Sequence, residues 1–161
     1  MKRLLLLLVF VSLGMAACTQ MDNTAKENKA MVQRWVDEAW HNRNANAVDE
    51  FCATNYIGHE GSVEVKGIEG MRERVNAFHQ AFSGIRVTFE EQVAAGDKIA
   101  VRWRAKTTHQ GEFMGIPATG KEATWTGIFI ARIEKGKFVE VWQDIDVLGL
   151  INQLKAETTM Q

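Results

Sequence analysis

An α+β domain is what this sequence predicts, on three observations. Apolar residues recur at helical spacing in segments up to Phe82, and from residue 86 to residue 147 they recur at every second position instead. Gly96-Asp97 and Lys135-Gly136 place turn signals where alternating runs meet. Helices first and turn-linked strands afterwards imply helices packed on an antiparallel sheet.

Ahead of this domain, Met1-Lys2-Arg3 gives a positive start, and Leu4 to Val11 is an unbroken apolar run leading to Ala16 and Ala17. That is the layout of a secretory signal. The run gives way to polar residues from Thr19 onward, short of the roughly 20 apolar residues that a spanning helix needs. Met15-Ala16-Ala17-Cys18 resembles the bacterial lipobox, which implies cleavage before Cys18 and lipid on its thiol; an ordinary cleavage site beside a chance cysteine is the alternative. Each buried methylene of such a lipid contributes about 0.8 kcal/mol, so several acyl chains would anchor the protein firmly. The expected address is an exported, membrane-anchored lipoprotein facing the periplasm or the cell surface. Thr19, not being aspartate, is compatible with the outer membrane of a two-membrane host. The expected organisation is residues 1–17 as signal, 18–26 as lipidated cysteine and polar tether, 27–155 as one domain and 156–161 as a tail.

Without residues 1–17 the chain loses Lys2 and Arg3 from its 19 basic side chains and keeps 20 acidic ones, so it is mildly acidic and offers nucleic acid no basic surface. Five Trp and eight Phe supply material for a core. With Cys18 committed to lipid, Cys52 has no partner in the chain and reads as a small buried apolar residue.

In the helical half, Met31, Val32, Trp35, Val36, Ala39 and Trp40 fall on one side of a helix from Asn23 to Asn44. Asn44 to Ala53 reads as a short second helix with Ala47, Val48 and Phe51 inward, and Asn55 to His59 as a brief extended segment. A third helix from Gly67 to Phe82 carries Ile68, Met71, Val75, Phe78 and Phe82. Strands are expected at 86–95, 98–109, 121–133 and 138–147, with a last helix from Leu148 to Lys155.

The strand faces sort by alternation. Ile99, Val101, Trp103, Ala105, Thr107 and His109 share one side of their strand, opposite Arg102, Arg104 and Lys106, so His109 points inward. The next strand is apolar on both sides, with Trp125 and Phe129 on one and Ile128 and Ile130 on the other. A strand with no side for water implies that helices cover one face of the sheet and a second subunit the other. In the last strand Glu140, Trp142, Asp144 and Asp146 stand together, opposite Val139, Val141, Ile145 and Val147. Three carboxylates around one tryptophan are either a solvated edge or a pocket lining. In a pocket, desolvation and mutual repulsion would raise a carboxyl pKa and suit it to acid/base work. His109 and His59 likewise read either as satisfied core or rim histidines or as site residues.

Thr107-Thr108-His109-Gln110-Gly111-Glu112-Phe113, then Gly115-Ile116-Pro117-Ala118-Thr119-Gly120-Lys121, Gly136-Lys137, Glu140-Val141-Trp142, Asp146, Gly149-Leu150 and Gln153-Leu154 resemble, in order and spacing, the SnoaL-like polyketide cyclases, also called ester cyclases. Gly96-Asp97, Arg102 and His59 extend the likeness, which runs from about Glu27 to Leu154. The resemblance implies the nuclear transport factor 2-like (cystatin-like) fold: helices packed on a curved antiparallel sheet, forming a cone round a pocket, usually as a homodimer through the outer sheet face. It implies a small hydrophobic carbonyl ligand, no cofactor or metal, and an acid/base aspartate at Asp146, with His109 and His59 in the pocket and Trp142 as an aromatic wall. Glu140, Trp125, Trp103 and Phe113 are the further candidate ligand contacts. Asp144 exchanges roles with Asp146 if a bulge shifts the strand by one residue.

Two functions follow as expectations: cofactor-free acid/base catalysis on a hydrophobic carbonyl compound, or non-catalytic binding of an apolar ligand or a protein partner by an anchored lipoprotein. Neither a nucleophile elbow, a phosphate loop nor a dinucleotide fingerprint is present, and His41, His59, His79 and His109 lack metal-ligand spacing. His41 and His79 fall on polar helix positions and read as structural.

Overall fold

The structure, a computed structural model, describes residues 23–156. The expected signal, Cys18 and the last five residues lie outside the described residues. Helix α1 spans 23–35 and continues as a π-helical turn, Val36–His41. Residues 23–26, which the sequence places in both the expected tether and this expected helix, are helical. Then come α2 (Ala47–Phe51), β1 (Cys52–Glu60), β2 (Val63–Lys66), α3 (Gly67–Ala81), β3 (Phe82–Ala95), β4 (Lys98–His109), β5 (Glu122–Glu134), β6 (Lys137–Ile145) and α4 (Val147–Lys155). No helix among the described residues is long and apolar enough to cross a membrane.

The six strands form one curved sheet in the order β2-β1-β6-β5-β4-β3. Strands β3 to β6 are the expected antiparallel meander, but β1 lies parallel to β6, so the sheet is mixed. No hairpin joins β1 to β6, and turn geometry therefore does not fix their relative direction. What read as a brief extended segment is the whole of β1, followed by the short edge strand β2. Register shifts interrupt β1, β3 and the β5–β6 pair. Such bulges bend strands and let the sheet wrap the helices. The shift between Ser83 and Arg86 breaks the period of two, which is why β3 starts earlier than its alternation indicates.

The core lies between the concave sheet face and α1, α2 and α3, where Val32, Val48, Phe51, Val75, Phe82, Ile99 and Val101 are almost wholly buried. Cys52 is buried among them as expected. His79 is a correction: its ring is buried and meets Trp40 edge-on at 5.7 Å, so α3 turns this position inward. No described residue covers the convex sheet face, which exposes Val93, Ile128, Ile130 and Trp142.

Candidate active site

The concave face holds a partly open cavity of about 90 Å³ whose aromatic wall is Trp35 and Trp40 of α1, Phe78 of α3, Phe89 of β3, Trp103 of β4, and Trp125 and Phe129 of β5. The π-helical turn explains two of them. On an α-helix of 3.6 residues per turn, side chains five apart diverge. Wider winding, seen in the bond from Asn42 N–H to the Asp37 carbonyl at 2.9 Å, brings Trp35 and Trp40 onto the same wall, with ring centres 6.4 Å apart. Trp103 lies against β5 where Gly127 offers no side chain; a Cβ there would sit 2.4 Å from the indole.

Polar groups enter this apolar space from β1, β6 and α3. Tyr56 and Glu60 stand two pleats apart on the inner face of β1, and Gln143 of β6 is the register partner of Glu60. Arg74, between Met71 and Phe78 on the inner side of α3, donates from Nε to Glu60 Oε1 at 3.1 Å, and its second guanidinium nitrogen meets the other carboxylate oxygen. The guanidinium also lies 4.5 Å from the centre of the Phe78 ring. Both side chains keep some solvent contact, so the pair stabilises the fold by no more than about 1 kcal/mol. Glu60 is the only acidic side chain lining the cavity among the described residues. Cys52 also touches the cavity, but burial pushes its thiol up to about 12, which keeps it protonated and poorly nucleophilic.

Of the residues expected from the sequence, Trp103 and Trp125 line the cavity. Phe113 stands behind that wall, packed on Phe82 at 5.0 Å and Phe78 at 5.9 Å between ring centres. His109 is inward and fully buried, but it too lies behind the lining residues. Its Nδ1 accepts from the Thr119 backbone N–H at 3.3 Å and lies 3.0 Å from Thr119 Oγ1, while Nε2 is buried without a hydrogen bond. Burial lowers its pKa, with the Gly111 carbonyl acting in the opposite sense.

The acidic face of β6 points outward, which corrects the pocket placement of Asp146 and its neighbours. Alternation decides it: Val141, Gln143 and Ile145 face the cavity, so Glu140, Trp142 and Asp144 face the convex side. Asp146 follows the end of β6, is exposed, and caps α4. His59 is also on the convex side, stacked on Trp142 at 5.5 Å, with Nε2 3.1 Å from Glu140 Oε1. That contact with His59, and then Arg132, holds the Glu140 carboxyl below its ordinary range.

The site that forms instead was only partly visible in sequence. Glu60 lies just past the expected extended segment, in a stretch to which the sequence assigns no element. Its signal was the spacing Tyr56, Gly58, Glu60, which puts all three on one face once the strand continues. Arg74 had a signal too, three residues after Met71 and four before Phe78. No group of three or more metal-ligating side chains occurs among the described residues.

A curved sheet closed by helices over an aromatic cavity with a few convergent polar groups defines a small-molecule site. The chain belongs to the SnoaL-like polyketide cyclase family, which it matches over residues 30–154. Its fold is that of the nuclear transport factor 2-like cyclases. Among solved structures it is similar to TsrD from Streptomyces laurentii, with 30% identity and a TM-score of 0.70 over 80% of this chain and 97% of that one. AclR from Streptomyces galilaeus, described as a candidate hydroxylase, is 27% identical with a TM-score of 0.74 over 81% and 96% of the two chains. A SnoaL-like protein from Jannaschia sp. CCS1 is 20% identical with a TM-score of 0.76 over 83% and 95%, a likeness of fold. No curated protein matches the chain.

Proposed function

We propose that the cavity receives a small hydrophobic carbonyl compound and that the protein performs cofactor-free acid/base chemistry of the cyclase or isomerase type. The observation that carries this is one carboxylate, Glu60, presented to a largely apolar, aromatic-rich cavity. Glu60 takes the role that the sequence suggested for Asp146. Its carboxylate removes a proton from the carbon beside the carbonyl, the bonding pair moves toward the carbonyl oxygen, and the same carboxyl returns a proton to carbon. Arg74 fixes the carboxylate in position. Family membership alone does not select this reaction, because one fold hosts many chemistries. At about 90 Å³ the cavity is smaller than the engineered cavity of about 150 Å³ that holds benzene, so a polycyclic compound does not lie wholly inside it.

The test is deuterium exchange at the α-carbons of cyclohexanone, followed by proton NMR. The wild-type chain accelerates exchange; Glu60→Gln removes the acceleration while tryptophan quenching by the ketone persists. Equal acceleration in wild type and Glu60→Gln would end the assignment, and binding without any acceleration would make the protein a carrier.

Two properties outside the cavity belong to the same reading. The convex face pairs with a second copy of the chain. Ile128 is flanked in register by Arg102 on one side and Asp144 on the other, so a two-fold axis along β5 sets each Arg102 against the partner copy's acidic side. Lipid on Cys18 holds the protein to a membrane after export; palmitate labelling lost in Cys18→Ser tests this.

A further inference from the structure

Of the cavity's polar side chains, this acid/base reading leaves Gln143 and Tyr56 unused, and Tyr56 is the more buried of the two. Tyr56 is 5% exposed, and its hydroxyl forms no hydrogen bond among the described residues. The hydroxyl is not among the fully enclosed unpartnered atoms, which in the described residues are His79 Nε2 and His109 Nε2, so it opens into the cavity that Tyr56 lines and is free to donate there. The ring lies along β1, with its hydroxyl oxygen 2.6 Å from where a Cβ on residue 58 would stand. Gly58 thus leaves the space that the hydroxyl occupies, on the inner face between Tyr56 and Glu60.

We infer that the Tyr56 hydroxyl is the donor that binds the oxygen of the ligand, making this a site for ring compounds whose carbonyl passes through an enolate. The inference rests on the reading of the cavity as a carbonyl site. When Glu60 takes the α-proton, the C–H bond breaks, its electron pair forms the C=C bond, and the carbonyl oxygen gains the negative charge. The Tyr56 O–H donates a hydrogen bond to that oxygen without giving up its proton, and the charge returns to carbon when Glu60 reprotonates it. Such donation strengthens as charge develops, so it favours the enolate over the ketone. The phenol keeps its proton throughout: burial first, then the neighbouring Cys52 and Glu60, push its ionisation upward. Gly58 is a positioning residue, since any side chain there displaces the hydroxyl.

The probes are 4-fluorophenol, whose oxygen imitates the enolate oxygen, and 4-fluorotoluene, which has the same shape and no oxygen; binding to the full chain is read by fluorine NMR. The wild type is expected to hold the phenol about tenfold more tightly, the worth of one buried hydrogen bond. In Tyr56→Phe that preference falls to near unity while fluorotoluene binds as before, and Gly58→Ala, whose Cβ would crowd both the hydroxyl and the ring of Tyr56, lowers it with the phenol still in the chain. An unchanged preference in Tyr56→Phe overturns the inference. If neither probe binds the wild type, the cavity is no carbonyl site and both readings fall. A Tyr56-dependent preference without cyclohexanone exchange keeps the donor and overturns only the catalytic reading.

Discussion

Asp146 Oδ1 accepts a hydrogen bond from the Gly149 N–H at 2.8 Å, which makes this carboxylate the N-cap of α4. An Asp at this position satisfies an otherwise orphan amide and faces the positive end of the helix dipole. Asp146→Ala is expected to cost about 1 kcal/mol, roughly 4 °C in melting temperature, whereas Asp146→Asn, still a good cap, costs little. Both variants should exchange cyclohexanone protons at the wild-type rate. Loss of exchange in Asp146→Asn with an unchanged melting curve would return the acid/base role to Asp146.

The same residue shows what was legible in the sequence. Periodicity separated the helical half from the strands and correctly placed Trp103, Trp125 and His109 inward. For β6 it also sorted the two sides correctly, and Val141 and Ile145 on the apolar side are the cavity wall. Charge made the opposite side look functional, whereas the acids are there because that side meets water. Glu60 and Arg74 stayed hidden because each is a charged residue in an apolar enclosure, tolerated by its pairing with the other across 14 positions. Local pattern can put each of them on an inner face but says nothing of their pairing.

Two buried imidazoles make the fold sensitive to mild acid. His79 and His109 have depressed pKa values, chiefly because burial disfavours the cation, and Arg43 adds to the effect at His79. Unfolded histidine binds a proton near pH 6.5. Below that pH the unfolded chain takes up protons that the folded one refuses, so stability is fully present above about 6.5 and is lost as pH falls toward the folded values. Melting temperature should decline between pH 7.5 and 5, and less steeply in His79→Gln or His109→Gln. Glu64 and Glu140, both lowered by charged or hydrogen-bonding partners, act in a separate window that opens only below about pH 4.3. A melting temperature flat from pH 7.5 to 5 would show that the two rings are not buried in solution.

Gly127 is fixed by two contacts that cannot both yield. A Cβ there would meet Trp103 Cζ2 at 2.4 Å and the Asp144 carbonyl oxygen at 2.7 Å. The indole is a cavity wall and the carbonyl belongs to the β5–β6 ladder, so overpacking falls on the site and the sheet together. Gly127→Ala is expected to destabilise by about 1–3 kcal/mol and to weaken 4-fluorotoluene binding. Calorimetry and fluorine NMR on one sample check both effects. Wild-type values in each would mean that Trp103 does not lie over β5.

The convex face gives the sharpest test of self-association. Ile128 and Ile130 are 46% and 44% exposed and Trp142 38%, and they are contiguous through the register Ala100, Ile130, Trp142. An apolar stripe in mid-sheet, rimmed by Arg102 and Arg104 on β4 and by Asp144 on β6, is a poor surface for water and a good one for a second sheet. With the convex faces paired as proposed, Ile130→Lys should leave only monomer in light scattering, with the cavity still binding 4-fluorotoluene. The charges then fix orientation. Asp144→Arg alone should weaken association by setting like charges together, and Arg102→Asp with Asp144→Arg should restore it, because a two-fold axis along β5 apposes these two positions twice. Rescue in the double variant is the decisive outcome: an axis across the strands would place Arg102 on Arg102, and exchanging the signs would then leave the repulsion in place.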